Sequence, residues 1–144
     1  MKAKTFLDQL QHKDIEAAIR HAEQKTTGEI RVFVSRHEPA EIIASAQKEF
    51  DHLGMHKTAD KNGVLIYVAP AARKFAIIGD AGVHQRCGDS FWQAVAGEMT
   101  EHFKKTRFTE GIIHGLQKAG QLLAEHFPAK GDHPNQLPDD VAHD

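Results

Sequence analysis

Two hydrophobic periods alternate along this chain. From Asp14 to Gln24 apolar groups fall at Ile15, Ala18, Ile19 and Ala22, the i, i+3, i+4, i+7 stripe of an amphipathic helix. Thr26-Thr27-Gly28 interrupts that period, and Glu29 to Ser35 then sets Ile30, Val32 and Val34 against Arg31 and Phe33, the alternation of a strand. Pro39 suits the first turn of a second helix, which Ile42, Ile43, Ala46, Phe50 and Leu53 carry to a stop at Gly54. Val64-Leu65-Ile66-Tyr67-Val68 is apolar at every position, so both faces must be covered, as in a central strand of an α/β sheet. Residues Pro70 to Arg73 join it to Phe75–Ile78. So short a link cannot hold a helical crossover, which leaves a hairpin. Gly79-Asp80-Ala81-Gly82 reads as the turn that ends this strand. Asp89 is placed to cap a helix with Phe91, Trp92, Val95, Met99 and Phe103 on its apolar face. A last helix carries Ile112, Ile113, Leu116, Ala119, Leu123 and Phe127, and Pro128 ends it.

The predicted order is α-β-α-β-β-α-α. A helix joins the first two strands, so they should run parallel. The expected fold is a three-layer α/β/α sandwich with a small mixed sheet of three to four strands. Residues 1–128 form the expected domain. Residues 129–144 hold Pro134, Pro138, Asp132, Asp139, Asp140 and Asp144 against a single lysine. They read as an acidic, mobile tail in which only Leu137 and Val141 have the character to dock.

Composition removes several classes of chemistry. Lys and Arg total 18 against 20 Asp and Glu, so there is no basic excess to neutralise phosphates, and nucleic-acid binding is not expected. The longest apolar run, Val64 to Ala72, is far below the ~20 residues that span a bilayer. Asp8 interrupts the start before a signal-peptide core develops. The single cysteine, Cys87, rules out an intramolecular disulfide and suits a reducing compartment, so a cytoplasmic protein without a membrane span is expected. No nucleotide-binding glycine motif occurs, and the Gly79–Gly82 turn puts an acid where an anion would sit. Cys87 lacks an Arg six residues on, no Gly-x-Ser-x-Gly is present, and neither Arg20-His21 nor Arg36-His37 is followed by Gly. The 11 histidines are scattered, and Gly54 falls between the one zinc-spaced pair, His52 and His56.

What remains is an acidic edge. The hairpin returns the end of the third strand beside the start of the second, and parallel pairing brings the start of the first to the same place. Glu29, Asp60, Asn62, Asp80 and Asp89 therefore gather from four segments. Hard oxygens converging from loops are what Ca²⁺ or Mg²⁺ takes. The same residues are also readable as a helix cap, a turn and a strand end.

Thr27-Gly28-Glu29-Ile30-Arg31-Val32, Asn62-Gly63-Val64-Leu65-Ile66-Tyr67-Val68-Ala69 and Ile78-Gly79-Asp80-Ala81-Gly82 resemble the three strand signatures of the TPM domain. The segment from Phe103 to Ile112, with Gly115-Leu116, is similar to that domain's closing helix, so the resemblance covers roughly residues 10–127. The family is named for a thylakoid-lumen protein, a photosystem II repair protein and an acetylcholine-receptor auxiliary protein. The resemblance implies an α/β/α sandwich. It also implies a divalent ion held by loop carboxylates in some members and weak acid phosphatase activity in others. On matching positions it points to Glu29 and Asp80 as ligands, with Asp89 next; Asp60 joins the candidate metal ligands from the sheet-edge argument alone. Three readings follow: a Ca²⁺-binding accessory module with a protein partner of unknown identity, a weak metal-dependent phosphatase, and a purely structural interaction module. In the phosphatase reading Arg31, Lys61, Arg73, Lys74 and Arg86 would supply the basic groups, although Arg73 and Lys74 should lie at the opposite sheet edge.

Overall fold

The computed structural model describes residues 1–88, 90–129 and 138–144. Two helices, α1 (Ala3–Gln9) and α2 (His12–Glu23), precede strand β1 (Glu29–Val34). Helix α3 (Ile42–His52) leads through a short helical turn at Met55–Lys57 into β2 (Gly63–Ala69). A second such turn, Pro70–Ala72, joins β2 to β3 (Lys74–Gly79). Helices α4 (Ala81–Cys87), α5 (Ser90–Lys104) and α6 (Phe108–His126) follow, and the described chain closes on β4 (Ala142–His143).

The sheet order is β3-β2-β1-β4. As expected, β1 runs parallel to β2 and β2 is antiparallel to β3, with Glu29 opposite Gly63 and Val64 opposite Gly79. Because side chains alternate across the sheet, Ile30, Val32, Val34, Val64, Ile66 and Val68 bury one face against α1, α2, α5 and α6. Phe33, Leu65, Tyr67, Ala76 and Ile78 bury the other against α3 and Met55, with Phe33 and Tyr67 stacked at 5.6 Å. The mixed sheet between two helical layers is the α/β/α sandwich anticipated from the periodicity.

Four local expectations need correction. Helix α3 starts at Ile42, so Pro39 lies ahead of it. Gly79–Gly82 does more than end a strand: Asp80 caps a further short helix, α4, by accepting the Ala81 N–H at 2.7 Å. Arg31, one of the basic groups the phosphatase reading would use, is only 7% exposed, so it is not free at the surface. The last correction explains the third. Residues 138–144 are not a loose tail, because β4 pairs in parallel with Phe33 and Val34 of β1. Val141 is buried, Asp140 reaches Arg31 at 3.5 Å, and the Asp144 carboxylate accepts from Ser35 Oγ and the Arg36 N–H, both at 2.8 Å. Leu137 lies outside the described residues.

Candidate functional site

The amino ends of β1 and β2 are organised by one three-residue turn. Thr26 is fully buried and its hydroxyl binds the Leu123 and Phe127 carbonyls at the end of α6, while the Thr27 N–H donates to Phe127 O at 3.0 Å. With the turn fastened to α6, the Thr27 hydroxyl is fixed in place. It donates to Asp60 Oδ2 at 3.1 Å and accepts from Asn62 Nδ2 at 3.0 Å. Asp60 and Asn62 are thereby drawn to the start of β1 as the sheet topology requires.

Asp80 arrives from β3. Its N–H donates to the Gly63 carbonyl at 3.0 Å, and the Gly82 N–H donates to Lys61 O at 2.9 Å. A Cβ on Gly82 would stand 2.6 Å from Asp60 O and 2.7 Å from Lys61 O, so only glycine lets α4 sit this close to the loop before β2. One Asp80 oxygen caps α4; the other, Oδ2, is buried with no hydrogen-bond partner among the described residues.

Glu29 belongs to a second group at the same end. It is 1% exposed. The Glu23 carboxyl bonds both Glu29 and Asp139, and Glu23 Oε2 accepts the Ile30 N–H at 2.9 Å. Burial first, and then these carboxylate contacts, push Glu23 from its ordinary 4.5 up to about 10. The rise favours a proton shared within this group at neutral pH, which spares it three full charges.

Of the residues singled out above, the structure gathers Asp60, Asn62 and Asp80 around Thr27 and the start of β2, and ties Glu29 to Glu23 and Asp139 instead. Asp89 lies outside the described residues. Among the described residues no group of three or more His, Cys, Asp and Glu is arranged ready-made to hold a metal ion. Glu23 and Asp139 were missed by the pattern reading. Glu23 carried a signal, since it lies four residues after Ile19 and eight after Ile15, on the apolar stripe of α2. The set can supply hard carboxylate, hydroxyl and carbonyl oxygens, which suits Ca²⁺ or Mg²⁺ far better than a soft metal.

Elsewhere two histidines meet carboxylates away from this end: His52 Nδ1 lies 2.9 Å from Glu49, and His114 of α6 meets Glu98 of α5. The Cys87 thiol is pushed up by burial and by Glu125, the opposite of an activated nucleophile.

An α/β/α module with an oxygen-rich end on a short mixed sheet is the class that this geometry defines. The model of the TPM domain matches residues 1–122, and the chain belongs to that family. It is similar in structure to BA42 from the psychrophilic bacterium Bizionia argentinensis, with a TM-score of 0.85, 38% identity and 92% of each chain covered. Two N-terminal domains share the fold alone. That from P. gingivalis has a TM-score of 0.61 and 18% identity over 85% of this chain and 79% of its own. That of cg2496 from Corynebacterium glutamicum has 0.60 and 16% over 84% and 77%. No curated protein matches the chain. Among the described residues no helix is long and apolar enough to cross a membrane.

Proposed function

We propose that the acidic end binds a divalent cation, Ca²⁺ before Mg²⁺, and that the protein acts in the cytoplasm as a binding or accessory module for a protein partner. Asp80, Asp60 and Glu29 would supply oxygens, with Asp89 joining them. The observation that supports this most is Asp80 Oδ2, a buried carboxylate oxygen without a hydrogen-bond partner among the described residues. Such an oxygen calls for a partner, and a hard cation is the one its chemistry prefers.

The phosphatase reading needs cations free to hold a phosphoryl group, and those nearby are engaged. Arg31 pairs with Asp140, Lys61 Nζ donates to His56 O at 2.7 Å, and Arg86 donates to His126 O at 2.7 Å and lies over Phe127. Turnover of p-nitrophenyl phosphate is therefore expected to match a denatured-protein control.

The test of cation binding is thermal unfolding of chelator-treated protein with and without Ca²⁺. A bound ion stabilises by RT ln(1 + [L]/Kd), so the melting temperature should rise with Ca²⁺. Asp80→Asn and Glu29→Gln should abolish the rise yet remain folded in chelator. An unchanged melting temperature at millimolar Ca²⁺ would overturn the proposal.

A further inference from the structure

The opposite end of the sheet carries a cleft that the cation reading does not use. Its volume is about 560 Å³, within the ~300–1,000 Å³ range of small-molecule sites. The walls come from four separate segments. Phe75 of β3 meets Phe103 of α5 edge-on at 5.1 Å, Phe103 meets Phe108 of α6 at 6.0 Å, and Phe108 meets Phe6 of α1 at 4.9 Å. Half of the eight phenylalanines in the chain thus line one hollow. Phe75, Phe103 and Phe108 are each only half-buried, although rings of this kind are ordinarily taken fully into a core.

Cations alone make the charged part of the lining. Arg73, Lys74 and Lys104 stand exposed there, and no Asp or Glu contributes to it. Lys104 has a surface partner, Glu101, at 3.6 Å, whereas Arg73 and Lys74 have no ion pair among the described residues. The lining also includes two strained turns. Arg73 and Thr106 both have left-handed backbones, with φ of +55° and +57°, and for a β-branched residue that conformation is an outlier. Thr106 closes α5 in a Schellman motif, its N–H on Phe103 O and the Arg107 N–H on His102 O, both at 3.0 Å. This position ordinarily takes glycine. Strain of this sort is retained where side chains must be held at a binding mouth.

From the aromatic floor and the cationic lining we propose that this cleft binds a medium-chain carboxylate, the apolar body lying on the phenylalanines and the carboxylate facing Arg73 and Lys74. An apolar body gains by covering rings that water now wets. A carboxylate matches the guanidinium fork of Arg73 in charge and shape. This site is independent of the cation proposal, because it lies at the carboxyl end of β2 whereas the acids lie at its amino end.

The experiment is an NMR amide-shift titration of the full chain with octanoate below its micelle concentration and, separately, with 1-octanol. Saturable shifts are expected around Arg73–Phe75 and Thr106–Phe108, with octanoate binding about tenfold or more tightly than octanol. Reversing the charge in Arg73→Glu with Lys74→Glu should remove that advantage and leave octanol unaffected. Lys104→Glu, on a different element, should weaken octanoate in the same sense, so the result survives if the double variant fails to fold. Added salt should weaken octanoate selectively. Equal binding of the two probes, shifts that map elsewhere, or indifference to both charge reversals would overturn the proposal.

Discussion

At the amino ends of β1 and β2 side-chain hydrogen bonds cross between separate segments, whereas at the carboxyl end of β2 Arg73 and Lys74 have no ion pair among the described residues and Thr100, Lys104 and Thr106 bond only within their own stretch of chain. The acidic end is built by hydrogen bonds. Thr26 is locked to α6, Thr27 bridges Asp60 and Asn62, and Gly82 seats α4 on the Lys61 carbonyl. The aromatic end is built by ring contacts and bordered by exposed cations. Directional bonds hold oxygens in fixed positions, whereas rings leave a surface that a flexible apolar body can cover. The two ends therefore differ in chemical character although one strand, β2, runs between them.

The largest effect is expected from removing residues 138–144, which bring Asp139 to the acidic end and set β4 beside the carboxyl half of β1. A chain that stops at Leu137 loses β4, exposes the ground under Val141 and leaves Arg31 buried without Asp140. Burial of a valine-sized side chain is worth roughly 1.5–3 kcal/mol, and the stranded Arg31 adds to it. The expected loss is about 3 kcal/mol, read by urea denaturation. A loss below about 0.5 kcal/mol, the scale of a neutral surface change, would show that the segment is dispensable.

A pH series sharpens the same end. Glu23 has a folded value of about 10 against an ordinary 4.5, so the folded state binds the extra proton. Its contribution is least unfavourable below about 4.5, and stability falls as pH rises toward about 10. In chelator, Glu23→Gln should flatten this fall, since the amide mimics the protonated acid: it accepts from Ile30 and donates to the carboxylates. A pH profile identical to that of the unaltered protein would contradict the shared proton.

Two glycine substitutions test the ends against each other. Gly82→Ala drives a methyl against the Asp60 and Lys61 carbonyls, and should destabilise by about 2 kcal/mol, the range for overpacking. It should also weaken Ca²⁺ binding. Thr106→Gly removes left-handed strain at the aromatic end and should stabilise by about 1 kcal/mol, without touching Ca²⁺. Calorimetric melts of both variants decide the signs. A stabilising Gly82→Ala would show that α4 does not depend on its close approach.

Much of this layout was legible in the chain because long elements carry a period. The stripes of α2, α5 and α6 and the continuous run at Val64–Val68 each have one solution, and the short Pro70–Arg73 link imposes the hairpin. These alone place Glu29, Asp60 and Asp80 at one edge. Strand β4 could not be read, since two residues show no period and pairing with Phe33 and Val34 is purely tertiary. Without it, neither the place of Asp139 beside Glu23 nor the pairing of Arg31 with Asp140 is legible. The phenylalanine hollow was hidden for a related reason. Phe75, Phe103 and Phe108 each pass for ordinary core residues on their own elements, and only the assembled fold leaves them half covered.

The most direct measurement is a Ca²⁺ titration of the chelator-treated protein followed by amide shifts residue by residue. Saturable changes should appear at Thr27–Glu29, Asp60–Gly63 and Asp80–Gly82, while Arg73–Phe75 and Thr106–Phe108 stay still. Asp80→Asn should erase the response. Shifts concentrated at the aromatic end, or none that saturate, would contradict the assignment of the cation to the acidic one.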